Sequence, residues 1–474
     1  MRKINQRKWA CLTILTLALG CRGSSSKTGD CDQKRPSNGA RITLRTLDDL
    51  DDLKNSSTLD QDIVIDLATP VDVTFPNLKT AKSIKLTGKG KTASFPALES
   101  VDVLAIQRSE YTYVSAPALT AAKGLSVQFN PHLAELSASK LAQTTKAIPG
   151  DVIISHNARI GNLKALLHNI ESVGCTSLTG GECDSLCFEN GDLKLTDNPV
   201  ADVGDQLDYV GSFKEVAGTV ELGYDGVGST ANPVLEIDEQ LSAPDATEIT
   251  IPPAILPGSS AKRTTFTTVE LGIVAAGGLS ISGYHAVVSI TTPKLERVGA
   301  VTLTNNTSLQ EFDLGLVRVI AGPVRLMALP MLKNISFDSV SIIEGNLVVA
   351  ATGAEELDLG PVTAVGRLLV IDNAQLHLIN GANLAKAAKS VSIISNAKLA
   401  IFNTPVLVGD GIDVFGMFDN PSLTTITWPE EANVGRIVFR NSNKSTSLCA
   451  PVCARDAAHR NTDCVCPPAV LGLK

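Results

Sequence analysis

Aromatic rings are what this chain has least of. Two Trp, five Tyr and twelve Phe make up 4% of 474 residues, and charged residues only 19%. So few rings argue against a glycan platform of Trp and Tyr, leaving Tyr111, Tyr113 and Tyr284 as the candidate surface rings. An excess of positive charge is missing too, the formal net charge being −8. Nucleic acid is thereby excluded as a partner, since it requires a basic footprint. No HExxH, Gly-rich phosphate loop, Ser/His/Asp order or Cys/His nucleophile setting is present, and the six His are scattered. We therefore expect no cofactor and no metal centre. The hydrophobic content of 44% is that of a folded chain.

What the chain does have is a repeat. Gly299, Gly322, Gly345, Gly366, Lys389 and Gly411 open units at steps of 23, 23, 21, 23 and 22 residues. Each of the first five is followed by an apolar-x-apolar pair: Val301/Leu303, Val324/Leu326, Leu347/Val349, Leu368/Val370 and Val391/Ile393. An Asn recurs three residues later (Asn306, Asn373, Asn396), and the same phrase occurs upstream at Asn130 and Asn157, with Asn198 assigned to the same row. Period-two apolar pairs repeating at this length define a solenoid with a short strand in each coil. An Asn just after a strand accepts a left-handed bend and satisfies turn backbone groups, so stacked coils predict an Asn ladder. Leu329 and Thr352 replace the Asn in two coils, and Asn420 and Asn441 fall out of register, which predicts altered corners there. A second phrase, Pro-x-apolar-x-x-apolar, begins at Pro76, Pro96, Pro117, Pro244, Pro293 and Pro330. Pro has no amide donor and belongs at strand starts and corners, so this phrase is expected to mark one corner of each coil.

The N-terminus reads as a targeting segment. Arg2, Lys3, Arg7 and Lys8 precede an apolar run of 12 residues, Trp9 to Gly20, too short to span a bilayer. The ending Leu17-Ala18-Leu19-Gly20-Cys21 resembles the lipobox of bacterial lipoproteins, which implies lipidation of Cys21 and an acyl anchor in the membrane. Arg22 after that Cys implies the outer membrane or cell surface, without excluding a periplasmic face. Losing residues 1–20 removes four positive charges and no negative ones, taking the chain from −8 to −12. Residues 21–40, rich in Gly, Ser and Lys, form a flexible tether. Thr46 then caps a short helix carrying Leu47, Leu50 and Leu53 on one face and four Asp on the other, and residues 61–67 alternate as the first strand.

Together the two phrases resemble the receptor L-domain type of leucine-rich repeat across residues 41–446. The carrying residues are the opening TLDDLDDLKNSSTLDQDIVI and coils such as FPALESV and TPKLERVGAVTLTNN. The resemblance implies a mostly β chain folded as a right-handed parallel β-helix of about 22–23 residues per coil. A small helical N-terminal cap and a Cys-rich C-terminal cap, residues 447–474, would close it. It also implies bacterial surface lipoproteins or receptor ectodomains as company, but no particular ligand.

Three regions break the pattern. Residues 162–170 have helical spacing, and residues 174–190 form an excursion carrying Cys175, Cys183 and Cys187. Residues 223–277 read as long loops on a continuous solenoid, or as a join of two L-like halves near 225. Projecting loops of a repeat array often bind, so Lys262 and Arg263 there, with Tyr284, are the binding candidates. Cys449, Cys453, Cys464 and Cys466 follow the last coil. With Cys31 and the excursion these make eight Cys, an even number that reads as disulfides in an exported protein, connectivity open. A zinc site with His459 is the alternative, though Cys-x-Cys is not a usual zinc spacing.

The outward residues of the second strand read as Asp313, Ser336, Asp358, His377, Ala400 and Thr427. Asp313 and Asp358, two coils apart, would stand about 10 Å from each other, a separation that an inverting hydrolase could use. An exposed solvated face explains them as well. The expectation is an exported, lipid-anchored envelope protein acting as a non-enzymatic binding, adhesion or receptor-like scaffold, its partner an envelope or extracellular protein or glycan. The alternatives are a polysaccharide hydrolase or lyase, and a purely structural component.

Overall fold

The computed structural model describes residues 41–161, 163–174, 191–196, 213–223, 268–408, 412–427 and 434–440. Half of the described residues are strand and 4% are helix, wound as a parallel β-solenoid of about 14 turns. The period-two pairs are what make it so. Val301, Val324, Leu347, Leu368 and Val391 sit level with one another in successive parallel strands, and so do their partners two residues on. All of them are fully buried. Each such side chain withdrawn from water stabilises the stack by about 1.5–3 kcal/mol, and the coil above supplies the cover. The few interior Phe rings meet in pairs, Phe75 stacked on Phe95 at 5.6 Å and Phe402 set edge-on to Phe415 at 5.8 Å.

Among the described residues the long strands, with five strands of two residues, belong to one 21-stranded sheet, and strands of three residues form three smaller sheets. The glycine openers follow from the stacking. A Cβ on Gly299 would lie 1.9 Å from the Gly277 carbonyl oxygen, and one on Gly322 2.5 Å from that of Gly299. The column holds glycine because neighbouring coils touch backbone to backbone there.

Several expectations are corrected. The strand Glu215–Gly223 pairs directly with Ala275–Ser282, in keeping with the reading of loops on a continuous solenoid, but regular strands resume at Thr268, inside the span 223–277 expected to be irregular. Asn420 is in register: Phe415 lies opposite Val391, because that coil is 24 residues long and takes up its extra residues before the strand. Pro76, Pro96, Pro117 and Pro293 occupy turns after short strands, but Pro330 opens the turn after the long strand Val324–Leu329, at the corner where other coils carry the Asn. Pro244 lies outside the described residues.

The first strand is Arg41–Leu44, paired with Thr58–Leu67, rather than residues 61–67 alone. Between them the helix Leu47–Leu53 is capped as its sequence requires: Thr46 Oγ1 accepts from Asp49 N at 3.2 Å, and Asp49 Oδ2 accepts from Thr46 N at 2.9 Å. Its Leu50 is buried, while Leu47 is 51% exposed, so the expected apolar face is narrower than three Leu. A second helix spans Leu163–Leu167. Residues 1–40, all ten Cys, Asn198, Asn441, Lys262, Arg263, Trp428 and His459 lie outside the described residues.

Candidate functional site

Most of the described coils turn out of their long strand through one residue in the left-handed region, and this sets what the corner displays. The φ angles are 51° at Arg108, 57° at Phe129, 56° at His156, 55° at Asp372 and 54° at Ser395. In every case the bent residue immediately precedes the ladder position, so the Asn itself does not carry the bend. The reversal points the following side chain inward and the bent one outward.

Inward, the Asn side chains join the coils. Asn373 Oδ1 accepts from Thr352 N at 3.0 Å and Thr352 Oγ1 at 2.7 Å, while its Nδ2 donates to Val349 O at 3.1 Å and to Asn396 Oδ1 at 3.1 Å. Asn396 N donates onward to Asn420 Oδ1 at 3.0 Å. Asn130 accepts likewise from Ser109 N at 3.1 Å and donates to Asn157 Oδ1 at 2.9 Å, and Asn306 Oδ1 accepts from Tyr284 N at 2.9 Å. All six Asn are fully buried, and buried amides need these partners. Leu329 interrupts the row. There, and at Thr352, the strand runs on into the ladder position instead of ending two residues before it.

Outward, three consecutive bent residues meet. The Phe129 and His156 rings stack at 4.4 Å, 24° from parallel, and the Arg108 guanidinium lies 5.8 Å from the Phe129 centroid. Phe129 remains 44% exposed. Beside this stack the outer face of the first coils forms a shallow groove of about 600 Å³, lined by Arg41, Arg45, Lys85, Arg108, Phe129, Gln107 and Asp66 among others. None of the four cations is ion-paired among the described residues; the salt bridges of these coils are Lys82–Asp62 at 3.8 Å and Lys123–Asp102 at 3.0 Å. Four unpaired cations against one carboxylate make a positive concavity on an acidic chain, and such a cleft concentrates anions. Gln107 and Gln128 both donate to Ser126 Oγ, at 2.7 and 3.1 Å, which holds their amides across the floor. A second depression, of about 430 Å³, lies further along and includes Lys194, Thr302 and Arg325, whose guanidinium is held below its ordinary pKa by burial.

The ring candidates divide. Tyr113 is exposed, whereas Tyr284 is 7% exposed and Tyr111 is fully interior, so neither of the latter is a surface platform. Tyr111 fits beside Gly90, where a Cβ would fall 2.0 Å from its ring. Its hydroxyl has no hydrogen-bond partner, and burial with the nearby Asp66 charge pushes its pKa well above the ordinary value. The carboxylate strip is corrected as well. Asp358 stands level with Asn380 and Asn403, not with His377 and Ala400, because Leu376 and His377 precede the strand Leu378–Asn380, whose buried middle residue, Ile379, is the one level with Leu357. Asn380 Nδ2 donates to Asp358 Oδ1 at 3.2 Å and Asn403 Nδ2 to Asn380 Oδ1 at 3.2 Å, while Gly360 N donates to Asp358 at 2.8 Å. Asp313 caps its own turn through Gly315 N at 2.8 Å. Both carboxylates thus have structural work to do.

The class defined so far is a parallel β-solenoid with a basic, ring-backed groove at its N-terminal coils. No family model, no curated protein and no solved structure matches the chain. Among the described residues no helix is long and apolar enough to cross a membrane, and no cluster of His, Cys, Asp or Glu could hold a metal ion.

Proposed function

We propose that this protein is a non-enzymatic binding protein of the bacterial envelope, held by an acyl chain on Cys21, that takes an acidic saccharide in its N-terminal groove. The observation that supports this reading is the concentration of Arg41, Arg45, Lys85 and Arg108 around one depression of a chain with net charge −8. Guanidinium and ammonium groups match a carboxylate or sulfate on a sugar. The Phe129–His156 pair offers a flat apolar edge for the ring, and the glutamine amides suit its hydroxyls. The lipobox and the likeness to receptor L domains support the address and the receptor-like role.

The test is calorimetric titration of the full chain with a polyuronate and with a neutral glucan of equal length. Binding of the polyuronate alone is expected, weakening as salt is raised because the contacts are largely between exposed charges. A Lys85→Ala/Arg108→Ala double variant should weaken it by about tenfold or more, the loss of two charge-assisted contacts. Equal affinity for both polymers would refute the site. Chain cleavage abolished by Asp358→Ala would instead establish the hydrolase.

A further inference from the structure

The two depressions are neighbours on one sheet. The first ends on the strand that carries Gln128, and the second begins with Ile153 on the strand beside it. They also share a register. Lys85 stands level with Ala105, Ala105 with Ser126, Ser126 with Ile153 and Ile153 with Lys194. The row continues through Glu221 to Ser280, Thr302 and Arg325. Lys85, Lys194 and Arg325 are thus each four strands from the last, and at the spacing of neighbouring strands they fall about 19 Å apart on one line. Ser126, Ile153, Lys194, Ser280, Thr302 and Arg325 all keep part of their surface in water.

Arg325 ends this line. Burial holds its guanidinium below the ordinary pKa, and among the described residues no carboxylate pairs with it. Asp192, the carboxylate of the same depression, lies four strands away and accepts from Thr219 N at 2.8 Å. A partly desolvated cation in that position is stabilised by an anion from outside. Past Arg325 the row turns dry. Val348 and Leu369, next in register, are 0% and 1% exposed, and with Ile371 and Ile394 they belong to an apolar cluster separate from the core.

We propose that the depression at Lys194 and Arg325 is a second subsite for the acidic saccharide, which lies along the solenoid axis from the N-terminal groove to Arg325. This rests on the reading of that groove as a saccharide site, and adds that the ligand is a long linear polymer. Cations on a line about 38 Å long are met together only by an extended chain. Once the first groove is filled, contact at the second is intramolecular and strengthens the whole. Between the cations, the hydroxyls of Ser280 and Thr302 suit those of the sugar.

Calorimetric titration of the full chain with a uronate trisaccharide and with a long polyuronate tests this. The trisaccharide reaches only the first groove, so the polymer should bind more tightly. Arg325→Ala should weaken the polymer by about fivefold, the loss of one partly screened charge contact, and leave the trisaccharide unchanged. Lys85→Ala/Arg108→Ala should weaken both. Thr302→Lys adds a cation to the line and should tighten the polymer alone by a similar factor, a readout that does not depend on removing Arg325. Polymer affinity unchanged in both the Arg325→Ala and Thr302→Lys variants, with the trisaccharide still bound, would overturn the track and leave the first groove standing. Binding of neither ligand by the unaltered protein would overturn both.

Discussion

The two ends of one sheet share an interior and differ in what they turn outward. In the first coils the outer positions are Val64, Asp66, Lys85, Thr87, Gln107, Ser126 and Gln128; in the later coils they are Val348, Ala350, Leu369, Ile371, Ile394 and Val438. The inward pairs recur in both, and so does the bend before the ladder position, as at Arg108 and Asp372; the Asn row starts at Asn130, with Gly88 and Ser109 holding the position in the coils before it. A solenoid coil therefore fixes its own winding with half of its residues and leaves the other half to be chosen separately. Here that freedom gives an open cationic groove at one end and a dry aliphatic face at the other.

The largest effect that separates the ends should come from adding charge. Leu369→Asp would place a carboxylate on the covered face and lower unfolding free energy by about 4 kcal/mol. Ser126→Asp, on the outer face two strands from Lys85, should shift it by no more than about 0.5 kcal/mol. Equal costs in urea melts would show that the two faces are alike. The ladder, by contrast, should be indifferent to which end is cut. Asn373→Leu and Asn130→Leu each orphan a backbone amide and a carbonyl of adjoining coils, and each should cost about 3 kcal/mol by the same measurement. A much cheaper loss at one end would mean that only the other depends on the ladder.

The smallest effect concerns Tyr111, in the interior behind the groove. Tyr111→Phe removes a buried hydroxyl without a partner and should leave stability equal or raise it by up to about 1 kcal/mol. Its pKa is raised in the folded state above the ordinary 10.0. The unfolded chain therefore loses that proton first, and the contribution of this residue to stability is complete below pH 10 and fades as pH rises beyond it. Stability of the Phe variant should fall less between pH 10 and 11 than that of the unaltered protein, read from urea midpoints at each pH.

The winding of the chain was legible because its cause is local and periodic. Val301/Leu303 and their counterparts, with an Asn at constant offset, state both the coil and the ladder. Register failed where the spacing changed, as at Asn420, and where a motif can serve two corners, as at Pro330. The groove was not legible. Its cations sit at positions 41, 45, 85 and 108, which only the stacking brings together, and Phe129 projects because a left-handed bend precedes each ladder residue. The covered face did leave a signal. Leu347-Val348-Val349-Ala350 and Leu368-Leu369-Val370-Ile371 are unbroken apolar runs, the mark of a strand buried on both sides, where most earlier strands place a polar residue at the outer position, Val103-Leu104-Ala105-Ile106 excepted.

The most direct test of a sheet with one open and one closed end is side-chain footprinting of the full chain with and without a polyuronate. Phe129 should label in the free protein and become protected by the polymer, while Leu369 and Ile394 stay dark in both states. Labelling of Phe129 indifferent to the polymer, together with labelled Leu369 and Ile394, would contradict the account at both ends.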